Sequence, residues 1–260
     1  MRVLLCIFFA VCLFSCNSSS KKDPNKTMDD TARMDKQGGN ATVDGSIAPL
    51  KIAVADIPAS IKIKGKVQEV WKWNDNLGEN ILITSSEAPH DDKGENGEEA
   101  QSAELHAFHY AKKDGDYVQV WFINDAVKSC PVDITCDFIP GSATITDLDK
   151  DGIAEIKVQY TMACRGDVSP ATMKLIIYEN GVKYALQGNR WLSYSPDFTY
   201  SVTEKDVNLE SSPKLKDESG EMLRTFGRYD SEKEFVTAPP EFLPFARKEW
   251  LKYSKEKMGE

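Results

Sequence analysis

Met173-Lys-Leu-Ile-Ile-Tyr-Glu-Asn-Gly-Val-Lys-Tyr-Ala-Leu186 decides the fold class. Two short runs rich in Ile, Leu and Tyr are separated by Asn180-Gly181. Both central positions of a type I′ turn need positive φ, which Asn and Gly adopt at little cost, so the stretch predicts an antiparallel hairpin. Upstream, Gly141-Ser-Ala-Thr-Ile-Thr146 leads through the polar turn Asp147-Leu-Asp-Lys-Asp-Gly152 into Glu155-Ile-Lys-Val-Gln-Tyr-Thr161. Together these segments read as four strands joined by turns.

The same order occurs earlier in the chain. Gly65-Lys-Val-Gln-Glu-Val-Trp71 leads through Asn74-Asp-Asn-Leu-Gly78 into Asn80-Ile-Leu-Ile-Thr84, and Leu105-His-Ala-Phe-His-Tyr110 turns at Lys113-Asp-Gly115 into Tyr117-Val-Gln-Val-Trp-Phe122. Gly65 and Gly141 lie 76 residues apart, Tyr110 and Tyr178 68, and Tyr117 and Tyr184 67. Fixed order with one variable loop predicts an internal repeat. That loop, His90 to Glu99, is too polar to bury and is expected to be a solvent-exposed, mobile connection. Beyond the second unit, 191–239 reads as irregular. Glu241 to Met258 places Phe242, Ala246, Trp250 and Tyr253 at helical spacing, a stripe suited to packing on a sheet.

The expected fold is mainly β: two four-stranded antiparallel meander, blade-like repeats, side by side or face to face, with a C-terminal α-helix. The expected divisions are 51–126 for the first repeat, 127–190 for the second and 191–260 for the irregular segment and helix. Two such blades cannot close a ring, so their edges must be covered by mutual packing, the helix or a partner.

The turn at Asp147-Leu-Asp149-Lys-Asp151-Gly152-Ile153-Ala-Glu155 carries definite chemistry. Carboxylates fall at loop positions 1, 3, 5 and 9, glycine at 6 and the Ile153 carbonyl at 7, the positions from which an EF-hand loop offers oxygen ligands to Ca²⁺. Val158 stands at position 12 instead of a bidentate Glu, and the flanks alternate as strands. The motif resembles the DxDxDG loop of FG-GAP and VCBS-type extracellular β repeats, without their Phe-Gly signature. The resemblance implies a weak structural calcium site formed by Asp147, Asp149, Asp151, Ile153 and Glu155. An acidic β-turn whose Asp side chains cap backbone amides is the metal-free alternative. The equivalent turn at Asn74-Asp75-Asn76 has one carboxylate and reads as metal-free.

Location is read from the N-terminus. Arg2 precedes an apolar run from Val3 to Phe14 that is too short to span ~30 Å of hydrocarbon, which marks residues 1–15 as a signal peptide. Leu13-Phe14-Ser15-Cys16 resembles the lipobox of bacterial lipoproteins, which implies a lipid on Cys16, and 16–50 is polar enough to serve as a flexible tether. The expected partner is therefore a membrane, reached through the anchor. Among the remaining cysteines, Cys130, Cys136 and Cys164 are disulfide candidates in an oxidising envelope. The hairpin register favours Cys164 bonded to one of the other two.

Acidic residues outnumber basic ones 41 to 32, a net charge of −9, which argues against nucleic acid as a partner. His106 and His109 fall on opposite faces of a strand and read as ordinary sheet residues. Neither a Ser-His-Asp pattern nor a Gly-rich phosphate loop stands out, so catalysis lacks support. Arg165-Gly166-Asp167 could be displayed to integrins, although pairing within a turn is the simpler reading. The segment Ile145 to Tyr178, with the acidic loop, Cys164-Arg-Gly-Asp-Val-Ser-Pro170 and Met173 to Tyr178, resembles Bacteroidota lipoproteins labelled surface polysaccharide biosynthesis proteins. That resemblance implies a cell-envelope, outer-membrane lipoprotein that supports surface polysaccharide or lipopolysaccharide assembly without catalysis. Trp71, Trp73 and Trp191 are candidate sugar platforms. A glycan-active envelope enzyme and a host-facing adhesin are the alternatives.

Overall fold

A computed structural model describes residues 47–193 and 201–256. The expected signal peptide, Cys16 and most of the tether lie outside the described residues. The chain is mainly β with antiparallel sheets. In the first sheet, β1 (Leu50–Lys51), β2 (Lys66–Asp75), β3 (Gly78–Lys93), β4 (Glu99–Lys113) and β5 (Asp116–Cys130) follow one another in sequence order. The second sheet contains β6 (Asp133–Phe138), β7 (Thr144–Thr146), β8 (Glu155–Arg165), β9 (Thr172–Glu179) and β10 (Val182–Asn189), in the order β10-β9-β8, with β6 and β7 sharing the far edge of β8.

Local chemistry explains the turns. Asn180 and Gly181 have φ of 43° and 79°, and Asp114-Gly115 repeats the pattern at 53° and 96°, the left-handed pair that a tight hairpin needs. The edge of the second sheet breaks at Pro140-Gly141. Pro has no ladder donor, and Gly141 takes φ of 70°. Thr144 pairs with Lys157 but Phe138 with Tyr160, so six residues on one strand span three on the other.

The sheets pack face to face. Trp73, Leu82, Leu105, Trp121 and Ile123 from the first meet Ile145, Ile156, Val158, Tyr160 and Ile176 from the second. Alternate residues of β8 point the other way, so this strand is covered on both sides. There Met173, Leu175, Ile177 and Leu186 pack against Phe226, Tyr229, Phe235 and helix residues Phe242, Ala246 and Trp250. An N-terminal segment carrying Ile52, Ile57, Ile61 and Ile63 covers the outer face of the first sheet over Val70, Ile81 and Ile83.

Several expectations change. The first sheet has five strands, and β5 runs to Cys130, past the expected division at residue 126. Half of the polar stretch from His90 to Glu99 is ladder. His90 to Lys93 pair with Ser102 to Glu99, because main-chain bonding holds polar residues as readily as apolar ones, and only 94–98 remain as the turn. The 191–239 segment contains helix α1 (Glu218–Arg224). Helix α2 (Phe242–Tyr253) stops short of Met258. Beyond it, β12 (Lys255–Glu256) pairs in parallel with β11 (Trp191–Leu192), tying the segment after α2 back to the one after β10.

Candidate functional site

The turn from Asp147 to Glu155 joins β7 to β8, and its side chains first serve its own backbone. Asp147 Oδ1 accepts from Gly152 N, Asp149 Oδ1 from Asp151 N and Asp151 Oδ1 from Ile153 N, at 3.4, 3.2 and 2.7 Å. Lys150 and Gly152 take φ of 63° and 83°. The Asn74-Asp75-Asn76 turn docks against this loop. Asn76 donates from its backbone N to Gly152 O and from Nδ2 to Asp151 O, while Asp75 Oδ2 accepts from Ala154 N. A Cβ at Gly152 would collide with the Asn76 amide, a second demand on that position.

Carboxylate oxygens of Asp147, Asp149 and Glu155 lie within 4.8 Å of one another, as do those of Asp149, Asp151 and Glu179. Glu155 is fully buried. It accepts from Leu148 N and from Thr146 Oγ1, and burial raises its pKa. Glu179 enters the cluster because the β8–β9 ladder pairs Ile156 with Tyr178, so one step further Glu155 faces Glu179. Glu179 Oε1 is buried without a hydrogen-bond partner among the described residues. Burial, followed by repulsion from Asp149, Asp151, Glu155 and Asp147, pushes its pKa up to about 7. Facing like charges destabilise a ladder, and five converging carboxylates suit a hard, oxygen-liganded cation. Glu179 was absent from the sequence-derived set; extending the β8–β9 register would have found it. Ile153 contributes an N–H to Asp151 within this arrangement.

A second feature is a cleft of ≈ 520 Å³ along the open edges of both sheets and the C-terminal segment, lined by residues including Phe122, Asp125, Lys174, Tyr178, Gln187 and Asp230. Asp125 accepts from Lys174 Nζ at 2.6 Å and from the Tyr160 hydroxyl at 3.0 Å. Tyr178 stacks on Trp121 with ring centroids 4.2 Å apart, while Phe122 is exposed.

Cys130 and Cys164 form a disulfide with Cα atoms 5.6 Å apart. The break at Pro140 places Ile134, instead of Cys136, opposite Cys164. Cys136 is a buried thiol whose pKa burial pushes up to about 11, so it is a poor nucleophile. Trp73 and Trp191 are buried, which removes them as sugar platforms. Trp71 is half-buried, with Lys51 Nζ 4.8 Å from its ring. His109 lies in the core, stacked on Trp73, with Nε2 2.9 Å from Asn80 Oδ1. Arg165 is tied to Glu256 and the Ser169 carbonyl, and Asp167 accepts from Ser169. The tripeptide's charges are thus engaged within the fold. No family model, curated protein or solved structure matches the chain.

Proposed function

We propose that this chain is a non-catalytic, lipid-anchored envelope protein that binds a glycan of the cell surface and supports its assembly. The observation carrying the glycan reading is the edge cleft. Its aromatic faces at Phe122 and Tyr178 suit the apolar side of a sugar ring, and the charged and amide groups of Lys174, Asp230 and Gln187 suit its hydroxyls. The Cys130–Cys164 disulfide supports an oxidising compartment. The lipobox at Cys16 supports a membrane anchor, probed by loss of lipid labelling in Cys16→Ala. In this reading the two sheets descend from one duplicated blade-like unit. Asp147, Asp149, Asp151, Glu155 and Glu179 hold a structural Ca²⁺, which supplies the positive charge that their convergence lacks.

The testing experiment is a glycan-array screen of the purified protein with and without Ca²⁺, using Tyr178→Ala as the cleft variant. Glycan binding that falls at least roughly tenfold in the variant, the loss of about 1.4 kcal/mol, is the expected result. Equal binding by both proteins, or none by either, would overturn the assignment. A glycan-active enzyme has one observation of its own, the carboxylates of Asp125, Asp230 and Glu234 around the same cleft. Release of shortened glycan by the wild type, abolished in Asp230→Asn, would select that reading.

A further inference from the structure

On the outer face of the first sheet, remote in sequence from the acidic loop, Glu87 of β3 pairs directly with Glu104 of β4. His106 lies two residues along β4 on the same face. Its side chain is 2% exposed, and its Nε2 is 4.0 Å from Glu87 Oε1 and 3.9 Å from Glu104 Oε2. Those separations exceed hydrogen-bonding distance, and Nε2 has no hydrogen-bond partner among the described residues. Asn124 stands directly across the β4–β5 ladder from His106, the neighbour position from which an outer partner orients a ligating imidazole.

A cation already sits at this place. Lys64 Nζ is 2.5 Å from Glu104 Oε2 and 3.4 Å from Glu87 Oε1. It is delivered by the turn at Gly65, whose φ is 76° and where a Cβ would meet the Ser86 carbonyl at 2.7 Å. The lysine offsets the facing carboxylates but leaves the imidazole nitrogen unused, and a buried orphan of that kind is destabilising. With its side chain 52% exposed, Lys64 can swing into water.

We infer that Glu87, Glu104 and His106 form a binding site for a divalent transition-metal ion such as Zn²⁺, with Lys64 as the resident cation that the metal displaces. One imidazole and two carboxylates leave a fourth tetrahedral position for water. Ligand bonds of about 2.0–2.1 Å require neighbouring ligand atoms roughly 3.3–3.4 Å apart. The Nε2–carboxylate separations of 4.0 and 3.9 Å exceed that by about 0.5–0.7 Å, a gap that rotation of the two partly exposed Glu side chains can close once Lys64 has left.

The test is calorimetric titration of Zn²⁺ into the full chain in detergent, comparing wild type, His106→Gln, Glu87→Gln and Lys64→Met. The acidic loop is common to all four, so differences report on this site alone. The expected result is binding weakened at least tenfold in His106→Gln and Glu87→Gln. Lys64→Met is expected to tighten it by roughly tenfold, because the ion no longer has to displace an ammonium group from the two carboxylates. Equal affinities across the series, or binding no tighter in Lys64→Met, would overturn the site. Should His106→Gln fail to fold, Lys64→Met decides the question alone, since its half-exposed side chain leaves the core intact.

Discussion

Glu179 supplies the acidic loop with a fifth carboxylate, from a strand that does not belong to the loop. Asp147, Asp149 and Asp151 each use Oδ1 for the turn backbone, so the loop can close without an ion, whereas Glu179 Oε1 has no such task. On the proposed calcium reading, variants of Glu179 and of Asp149 are expected to differ in how their stability depends on the ion. Glu179→Gln removes a like charge and is expected to raise Tm in chelator at pH 8 by about 2–4 °C, the effect of ~1 kcal/mol in a domain of this size, while reducing the Ca²⁺-induced rise. Asp149→Ala removes the cap on Asp151 N and is expected to lower Tm in chelator and to lower it further in millimolar Ca²⁺. Thermal unfolding of the three proteins under both conditions checks this, and equal shifts with and without the ion would mean a metal-free turn. The DxDxDG spacing was legible because its ligands are consecutive in the chain. Glu179 was not, since only the β8–β9 ladder brings it there.

At the scale of elements, α2 is held to the second sheet by an aromatic stripe and one buried ion pair. Lys157 of β8 bonds Glu249 of α2, with Gln159 Oε1 3.0 Å from Nζ and the Tyr253 ring centroid at 5.1 Å. Burial, opposed by Glu249, brings the Lys157 pKa down to about 8 from 10.5. Between those pH values the unfolded chain binds more protons at this position than the folded one, so this contribution to stability rises with pH from 8 to 10.5 and is lost on returning below 8. Denaturant unfolding across that window is expected to show wild type gaining on Lys157→Met as pH increases; parallel curves would contradict it. At pH 7, Glu249→Ala strands a buried ammonium and is expected to cost about 3–5 kcal/mol, while Lys157→Met/Glu249→Leu stays near neutral. The stripe of Phe242, Ala246 and Trp250 was readable from 3.6-residue spacing, and the Asn180-Gly181 hairpin from its turn residues. The β11–β12 bridge was not, because two-residue strands carry no periodicity. The His90–Lys93 ladder was missed because backbone pairing leaves little trace in side-chain polarity.

At the largest scale, the described residues stack four layers, and the layers of the two sheets are joined covalently once among them. Cys130 ends β5 in the first sheet and Cys164 lies near the end of β8 in the second, 34 residues apart. The sequence made a bond at Cys164 legible, but its partner depended on the register slip at Pro140-Gly141, which moves Cys136 out of line. Closing a loop of that length removes chain entropy from the unfolded state equivalent to about 3–4 kcal/mol. The inter-sheet core remains without the bond, since Trp73, Leu105 and Trp121 still face Ile156, Val158 and Tyr160. Cys130→Ala/Cys164→Ala is therefore expected to fold with an unchanged far-ultraviolet spectrum but to unfold at lower denaturant, with stability reduced by about 2–4 kcal/mol. Cys136→Ala alone, which deletes a buried sulfur but no cross-link, is expected to cost about 1 kcal/mol, near the centre of the range for point changes. Equilibrium unfolding with and without reductant separates the two effects. Reductant should bring the wild type down to the double variant and leave the double variant where it was, and a wild-type midpoint insensitive to reductant would show that the bond does not form in solution.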